Sequence, residues 1–452
     1  MRNFSSTIWS KLADGNIRWA TAASLTLKVA HGVLAVLVSI LLARWLGKES
    51  FGVYAFALAT MSIVAVPLQY GLSVLLTREV SSHKASARWN LLRGVVRRAN
   101  QLVFGLWAVV LLAAVGILYL LSARIPAEQH AAHVWAFLLL LFVALGNLRR
   151  ATLQGLKRVV QGQVPELLIQ PLIIILLLAV FYRAMAPSAP RAMIITCVAA
   201  LIAYIVGALM LHRAMPAQAK ASVPQFQTGK WLSSLGPLAL IAVVSSLGGQ
   251  IDVVLIGILA DKSDVANYRV AFALASVVII ALSAVAAVVA PYVTHYYELG
   301  NRVRVQSLMT KATWGITGMA IPISVVFFIF GGSILELLYG VEYGTAYLPL
   351  VILCVCQLFN AATGNVAMLL NMTGHERQVL GVVSVSFGLN LIMHLLLIPR
   401  WGATGAATAT AATTILMNSA LCWRAWKVLG VNTTPFPFKY DERGSAQSAA
   451  VI

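Results

Sequence analysis

Residues 42–59 read LARWLGKESFGVYAFALA, and residues 257–275 read GILADKSDVANYRVAFALA. When Lys48 is aligned with Lys262, a tyrosine and two following alanines coincide in the two stretches. In both places a long apolar run ends, a short charged turn follows, and the tyrosine opens the next apolar run. A repeated membrane segment is the ground plan of many secondary transporters. The sequence therefore predicts a duplicated chain that crosses a membrane several times.

The composition supports a membrane protein. The 452 residues are 60% hydrophobic and 10% charged, and the mean hydropathy is +0.86. A soluble protein of this length is about 25% charged. The apolar runs here are long, as in VFGLWAVVLLAAVGILYLL at 103–121. A run of about 20 residues crosses a ~30 Å hydrocarbon core as one helix.

These runs predict an all-α polytopic membrane protein with about twelve transmembrane helices. The predicted helix centres are Leu34, Val64, Leu111, Leu140, Ile173, Leu201, Val244, Val278, Met319, Val355, Leu389 and Thr413. A second internal match aligns Gly155 with Gly374, and six predicted helices separate each repeated element from its copy. An even number of intervening helices predicts two parallel six-helix bundles. The expected division is a first bundle at 1–213, a linker at 214–229, a second bundle at 230–429 and a tail at 430–452.

The distribution of positive charge predicts the orientation. The formal net charge is +19, and roughly three quarters of the Lys and Arg residues lie in the loops on one side. Because cytoplasmic loops carry the excess of Lys and Arg, we expect both termini, the linker and the tail to be cytoplasmic. The same charges can contact anionic lipid head groups. Nucleic-acid binding is therefore not needed to explain the net charge.

Polar residues within the first predicted helix mark one face of it. Ser24, Lys28 and His31 follow each other at i, i+4 and i+7. Placing an ionisable group in the middle of a membrane costs about 2.5–3.5 kcal/mol on insertion scales. Lys28 either extends to the cytoplasmic head groups or faces a hydrated cavity, and His31 on the same face favours the cavity.

Further polar groups fall within predicted helices. Asp252 follows two glycines in the seventh helix. Its carboxylate is a structural partner for a cation or a backbone donor, a proton or cation coupling site, or a charge lock between the two halves. Four further groups of polar residues each lie on one face of a predicted helix, which indicates either interhelical hydrogen bonds or a hydrated interior. They are Asn147, Arg150 and Gln154; Gln163, Glu166 and Gln170; Gln357 and Asn360; and Asn390 and His394.

The sequence contains no pattern that indicates an enzyme. It lacks a Walker phosphate loop, the metalloprotease pattern HExxH, the hydrolase pattern GxSxG and an acidic DxD-type metal clamp. Only 14 Asp and Glu residues are present, mostly in predicted loops. We therefore expect neither enzymatic activity, a cofactor nor a bound metal.

Several segments resemble the polysaccharide-biosynthesis flippases. These belong to the oligosaccharide-lipid branch of the multidrug/oligosaccharidyl-lipid/polysaccharide exporter superfamily. The segments are LLARWLGKESFGVYAFALA, YGLSVLLTREVS, ATLQGLKRVVQGQVPELLIQPLI, QIDVVLIG, ILELLYGVEYGTAYLPLVIL and IPRWGATGAATATAA. The resemblance implies a MATE-like fold of two six-helix bundles that works by alternating access in the bacterial inner membrane. It also implies transfer of an undecaprenyl-diphosphate-linked sugar unit from the cytoplasmic to the periplasmic leaflet, with a cationic cavity for the pyrophosphate.

The polar residues within the predicted helices, taken together with the resemblance, give candidates for these roles. The substrate-binding candidates are Lys28, His31, Arg78, Arg150 and Gln154, and the coupling or gating candidates are Asp252 and Glu166. The implied partners are the lipid-linked oligosaccharide, membrane lipids, H⁺ or Na⁺, and a polysaccharide polymerase. The alternative is a cation-coupled multidrug or small-molecule exporter of the same fold. That function predicts buried carboxylates and aromatic residues, instead of cations, in the first bundle.

Overall fold

The computed structural model describes residues 2–120, 122–182, 184, 186–229, 231 and 250–435. Within these ranges every regular element is a helix. The helices are α1 (Arg2–Ala85), α2 (Trp89–Leu120), α3 (Ala127–Gly155), α4 (Val159–Val164), a π-helical turn (Pro165–Ile169), α5 (Gln170–Phe181), α6 (Ala189–Ala214), α7 (Ala217–Ala221), α8 (Ile251–Leu259), α9 (Lys262–Glu298), α10 (Arg302–Tyr339), a 3₁₀ turn (Val341–Ala346), α11 (Tyr347–Thr363), α12 (Val366–Met372) and α13 (Glu376–Leu429).

The described residues contain eight helical stretches long and apolar enough to cross a membrane. Two of them contain a break between two helices, at Gly47 in α1 and Gly402 in α13, where φ is +73° and +51°. Glycine tolerates this left-handed region because it has no Cβ. Every predicted helix centre falls in a helix except Val244, which lies outside the described residues, as do residues 436–452 of the predicted tail.

The chain divides into two compact units, Met1–Val254 and Leu255–Ile452. In the first unit, α1, α2 and α3 share a core that includes Leu76, Leu92 and Leu153. In the second unit, α9, α10, α12 and α13 share a core; its members include Val293, Met309, Leu370 and Ala425. The predicted bundle boundaries at 213 and 230 stay a prediction.

Equivalent hydrogen bonds occur in the two units, at positions that match in the sequence repeat. The Tyr54 hydroxyl lies 3.0 Å from Thr196 Oγ1, which joins α1 to α6. The Tyr268 hydroxyl lies 3.2 Å from Thr410 Oγ1, which joins α9 to α13. Each pair is separated by 142 residues along the chain. Tyrosines that match in sequence therefore make the same contact, as expected if each unit derives from one ancestral segment.

In each unit, the equivalent helix has a carboxylate cap at its N-terminus. The Ala189 N–H donates to Glu128 Oε1 at 2.8 Å, and the Ser50 hydroxyl donates to the same oxygen at 2.8 Å. In the second unit the Ala403 N–H donates to Asp264 Oδ1 at 3.2 Å. A carboxylate at a helix N-terminus satisfies a free N–H and complements the helix dipole. Asp264 aligns with Ser50 in the sequence repeat. The second unit therefore takes its capping carboxylate from Asp264 of α9, whereas the first takes it from Glu128 of α3, to which Ser50 donates.

Candidate functional site

A cavity of about 660 Å³ opens in the first unit between α1, α3 and the α4 region. We call it the front cavity. Its lining residues are Lys28, Ser73, Val74, Thr77, Arg78, Asn147, Arg150, Ala151, Gln154, Gln163 and Leu167. Four of the five predicted substrate-binding residues thus meet in one place, although they come from widely separated parts of the sequence.

Lys28 presents an exposed side chain to the front cavity. Its neighbours on the same face of α1 are engaged with the α4 region. The Ser24 hydroxyl donates to Gln163 Oε1 at 2.8 Å, and His31 Nδ1 lies 3.1 Å from the Leu167 carbonyl oxygen. Among the side chains that the structure describes, no carboxylate forms an ion pair with Lys28. Its ammonium group is therefore available to an anion in the cavity.

Arg78 reaches the front cavity from the second half of α1. Its Nη2 lies 3.1 Å from Glu79 Oε1, and its Nε donates to the same oxygen at 3.2 Å. The Arg78 side chain is 54% exposed. Glu79 is 13% exposed, but water reaches the Arg78 side of the pair, so Arg78 can still contact a second anion.

Glu166 joins two adjacent arginines of α3. Its Oε2 lies 3.0 Å from Arg150 Nη1, and its Oε1 lies 2.9 Å from Arg149 Nη2. Arg150 also donates to Asn147 Oδ1 at 2.6 Å, and its side chain is 35% exposed. Successive helical residues point about 100° apart, so Arg150 faces the front cavity while Arg149 points elsewhere. The bridge fixes both guanidinium groups.

Arg149 is a buried cation that the sequence did not single out. Its side chain is 3% exposed and packs on α6, where a Cβ added to Gly207 would lie 1.0 Å from Arg149 Nη1. Gly146 likewise leaves room for Glu166, since a Cβ there would lie 3.0 Å from Oε1. The sequence feature that indicates this contact is Gly207 within an apolar helix, because such glycines permit the close approach of a neighbouring group.

The π-helical turn at Pro165–Ile169 places Glu166. The Gln170 N–H donates to the Pro165 carbonyl, the i to i−5 bond that defines the wider turn. Proline cannot donate a backbone hydrogen bond, so an α-helix is already interrupted at this residue. Single π turns inside α-helices occur frequently at functional sites. Here the turn presents Glu166 to α3 and the Leu167 carbonyl to His31.

His31 and Asp252 lie apart from the front cavity. His31 lines a smaller cavity of about 190 Å³, together with Asn147, Arg149 and Glu166. Asn147 also lines the front cavity. Asp252 is 6% exposed in α8 and lines neither cavity. The structure thus distributes the predicted site residues other than Asp252 over two cavities that share Asn147, with His31 and Glu166 in the smaller one.

The arrangement is suited to binding an anion. Three cations line the front cavity, Lys28, Arg78 and Arg150, and amides at Asn147 and Gln154 supply neutral hydrogen-bonding groups. Arginine and lysine bind phosphate oxygens through charge-assisted hydrogen bonds. In the described residues no group of three or more His, Cys, Asp and Glu side chains could hold a metal ion.

Comparison with known proteins relates the chain to glycan transport. The sequence profile described as "Polysaccharide biosynthesis protein" matches residues 19–297, more than half of the chain, and the profile described as "MatE" matches residues 237–396. The probable low-salt glycan biosynthesis flippase Agl15 of Haloferax volcanii is 28% identical over 195 residues. That match covers 42% of this chain and 40% of the relative.

Solved structures show the same fold. A multidrug resistance MATE family transporter of the MOP superfamily has a TM-score of 0.74 at 14% identity, over 90% of this chain and 98% of that one. The lipid II flippase MurJ has a TM-score of 0.70 at 14% identity, over 90% and 87%. These likenesses confirm the predicted all-α, polytopic, MATE-like fold. The relatives are flippases and transporters, not catalysts of chemical reactions.

Proposed function

Because the chain belongs to the family of polysaccharide biosynthesis proteins, we propose that it flips a lipid-linked oligosaccharide across a membrane. The substrate in this proposal is an undecaprenyl-diphosphate-linked unit for a surface polysaccharide such as O-antigen, capsule or exopolysaccharide. The protein moves it from the cytoplasmic to the periplasmic leaflet by alternating access. The observation that carries the proposal is the convergence of Lys28, Arg78 and Arg150 on one cavity.

The charge of the substrate explains the need for this cavity. A diphosphate is an anion, and isolated charges at the centre of a bilayer are costly. Cations in the front cavity replace the water that the diphosphate loses. Lys28 is the first contact in this proposal, because Arg78 and Arg150 already have carboxylate partners. Gln154 and Asn147 offer hydrogen bonds to phosphate or sugar oxygens.

The volume of the front cavity agrees with a head group. Ligand sites commonly enclose about 300–1,000 Å³, and the front cavity encloses about 660 Å³. This space holds a diphosphate with its first sugars, but it is too small for a long polyprenyl tail as well. In the proposed mechanism the tail therefore stays in the lipid while the head group crosses.

Reconstitution into liposomes tests this function. We expect the purified protein to accelerate transfer of a fluorescent undecaprenyl-diphosphate-linked sugar between leaflets, measured as loss of fluorescence to a membrane-impermeant quencher. Undecaprenol with the same fluorophore but without the diphosphate is the matched control, and its transfer rate should not change. Transport of a cationic dye with no effect on the diphosphate lipid would instead establish the multidrug exporter.

Coupling is assigned in the same proposal to Asp252 and Glu166, with H⁺ or Na⁺ as the driving ion. Glu166 lies in the membrane-spanning stretch Val159–Phe181, and Asp252 lies in the predicted seventh helix. Ionisable groups within a membrane commonly serve transport. In the liposomes above, Asp252→Asn should make the transfer rate insensitive to an imposed pH or sodium gradient. A gradient dependence equal to that of the unsubstituted protein would remove Asp252 from this role.

Location in the bacterial inner membrane, with both termini cytoplasmic, completes the proposal. The orientation in this proposal is supported by the excess of Lys and Arg in the loops on one side. Reporter fusions after Arg88 and Arg158 should be active only with a cytoplasmic reporter, and a fusion after Lys262 only with a periplasmic one. The opposite pattern at these positions would contradict the orientation.

A further inference from the structure

A second basic cavity lies on the other side of α3 from the front cavity. We call it the rear cavity; it encloses about 260 Å³ between α2, α3, α6 and α7. Its lining residues are Val96, Asn100, Leu145, Arg149, Thr152, Tyr204, Ala208, Leu211, His212, Met215 and Lys220. None of the residues predicted to bind substrate is among them. The rear cavity shares no lining residue with the front cavity, but it shares Arg149 and Tyr204 with the smaller cavity that contains His31.

The lining of the rear cavity is basic and contains no Asp or Glu. Arg149 is buried at its inner end, and its one carboxylate partner, Glu166, is shared with Arg150. The Nε atom of Arg149 is buried without a hydrogen-bond partner among the described residues. Lys220 and His212 stand at the exposed end, and no described carboxylate pairs with either. Arg149 Nη1 also donates to the Ala203 carbonyl oxygen at 3.4 Å. Because Glu166 is shared with Arg150, Arg149 and Lys220 leave the rear cavity with a net positive charge, which attracts an anion.

Lys220 is held at the cavity by its backbone. Arg93 of α2 donates through Nη1 to the carbonyl oxygens of Lys220 and Ser222, each at 2.6 Å. The Gln225 N–H donates to the Asn90 carbonyl at 3.0 Å, so the following residues also lie against α2. The position of the Lys220 backbone is thus fixed, while its ammonium group remains free to contact a ligand.

The surroundings indicate the source of such an anion. The rear cavity lies where α2 begins and where α3 and α6 end, at the end of the helices that carries Arg93, Arg97 and Arg213. Apolar side chains on the nearby surface of α6 are exposed, including Leu209 at 57% and Ile205 at 48%. In a membrane these side chains face lipid. Basic pockets between helices near the head-group level commonly bind phosphorylated head groups.

We propose that the rear cavity binds a phosphate group carried on the head group of an anionic phospholipid. Its volume lies below the ~300–1,000 Å³ of drug-sized ligand sites, which suits a small head group and not an oligosaccharide. The exposed Lys220 contacts the phosphate, the buried Arg149 attracts it through its charge, and the Tyr204 hydroxyl supplies a neutral donor. This assignment rests on the geometry of the rear cavity and not on the proposed transport activity.

Lipid binding to the intact, delipidated protein tests the assignment. Native mass spectrometry in detergent would compare phosphatidylglycerol with phosphatidylcholine, which has a phosphate but no net charge. We expect phosphatidylglycerol to bind preferentially, and Lys220→Ala to weaken it about fivefold, since one basic residue near anionic lipid contributes about 1 kcal/mol. Arg213→Ala is the matched control: it removes the same charge next to His212 but does not line the rear cavity.

Competition with inorganic phosphate tests whether the bound phosphate group comes from a lipid or from free phosphate. If millimolar phosphate displaces phosphatidylglycerol from the unsubstituted protein but not from the Lys220→Ala variant, the cavity recognises the phosphate group itself. Binding of inorganic phosphate without preferential binding of phosphatidylglycerol would overturn the lipid source. Equal losses in the Lys220→Ala and Arg213→Ala variants would overturn the site, because the lipid would then respond only to general surface charge.

Discussion

Replacing Lys28 with alanine is expected to lower the transfer rate of the diphosphate-linked lipid about 10- to 150-fold. The estimate follows from the 1.5–3 kcal/mol that a hydrogen bond to a charged group contributes, at 1.4 kcal/mol for each factor of ten. Lys28 lines the front cavity, and no described carboxylate forms an ion pair with it. The side chain is exposed to that cavity, so its removal should leave the fold intact. Transfer between leaflets in liposomes measures the effect.

Two matched variants make the Lys28 result specific. Lys28→Arg keeps the positive charge and should retain most of the transfer rate. Arg78→Ala removes a cation from the same cavity, but Arg78 is already paired with Glu79 and is 54% exposed, so we expect a smaller loss. Unchanged transfer by a well-expressed Lys28→Ala protein would show that Lys28 serves only to contact head groups.

The polar face of the first helix was predictable because its spacing is local. Ser24, Lys28 and His31 follow the helical period, and the structure places all three on the side of α1 that faces the α4 region. Their different tasks were not predictable. Ser24 and His31 form hydrogen bonds to particular atoms of Gln163 and Leu167, more than 130 residues away. Only the tertiary arrangement leaves Lys28 as the residue open to the cavity.

The different environments of the two arginines of α3 could not be predicted from the sequence. Arg149 and Arg150 are adjacent and chemically identical, and the helical period states only that they point in different directions. Arg149 is the buried one because Gly207 of α6 leaves space for its guanidinium group. Pro165 indicated an irregularity in the next helix, but the π turn that aims Glu166 at both arginines depends on packing against α3.

Replacing Glu166 with glutamine is expected to lower the free energy of unfolding by about 3–5 kcal/mol, the usual cost of leaving a buried charge without its partner. Arg149 is 3% exposed, and Glu166 is its ion-pair partner among the described residues. At 3% exposure, Arg149 has little surface at which water could replace the carboxylate. Arg150, at 35% exposure, can instead regain solvent. Unfolding in mixed micelles with increasing mole fraction of denaturing detergent measures the change.

A second substitution separates the buried charge from other consequences of changing Glu166. Combining Glu166→Gln with Arg149→Met removes both charges, and we expect it to restore most of the lost stability, because well-packed apolar groups often replace buried ion pairs without cost. Glu79→Gln is the comparison variant: Glu79 contacts the exposed Arg78 and, at 3.5 Å, Nε2 of His83. Arg78 can regain solvent and an imidazole can be neutral, so the loss should be smaller than for Glu166→Gln. If Glu166→Gln and Glu79→Gln destabilise the protein equally, the Arg149–Glu166 pair does not stabilise the first unit. If the double variant is no more stable than Glu166→Gln alone, the loss has a cause other than the uncompensated charge of Arg149.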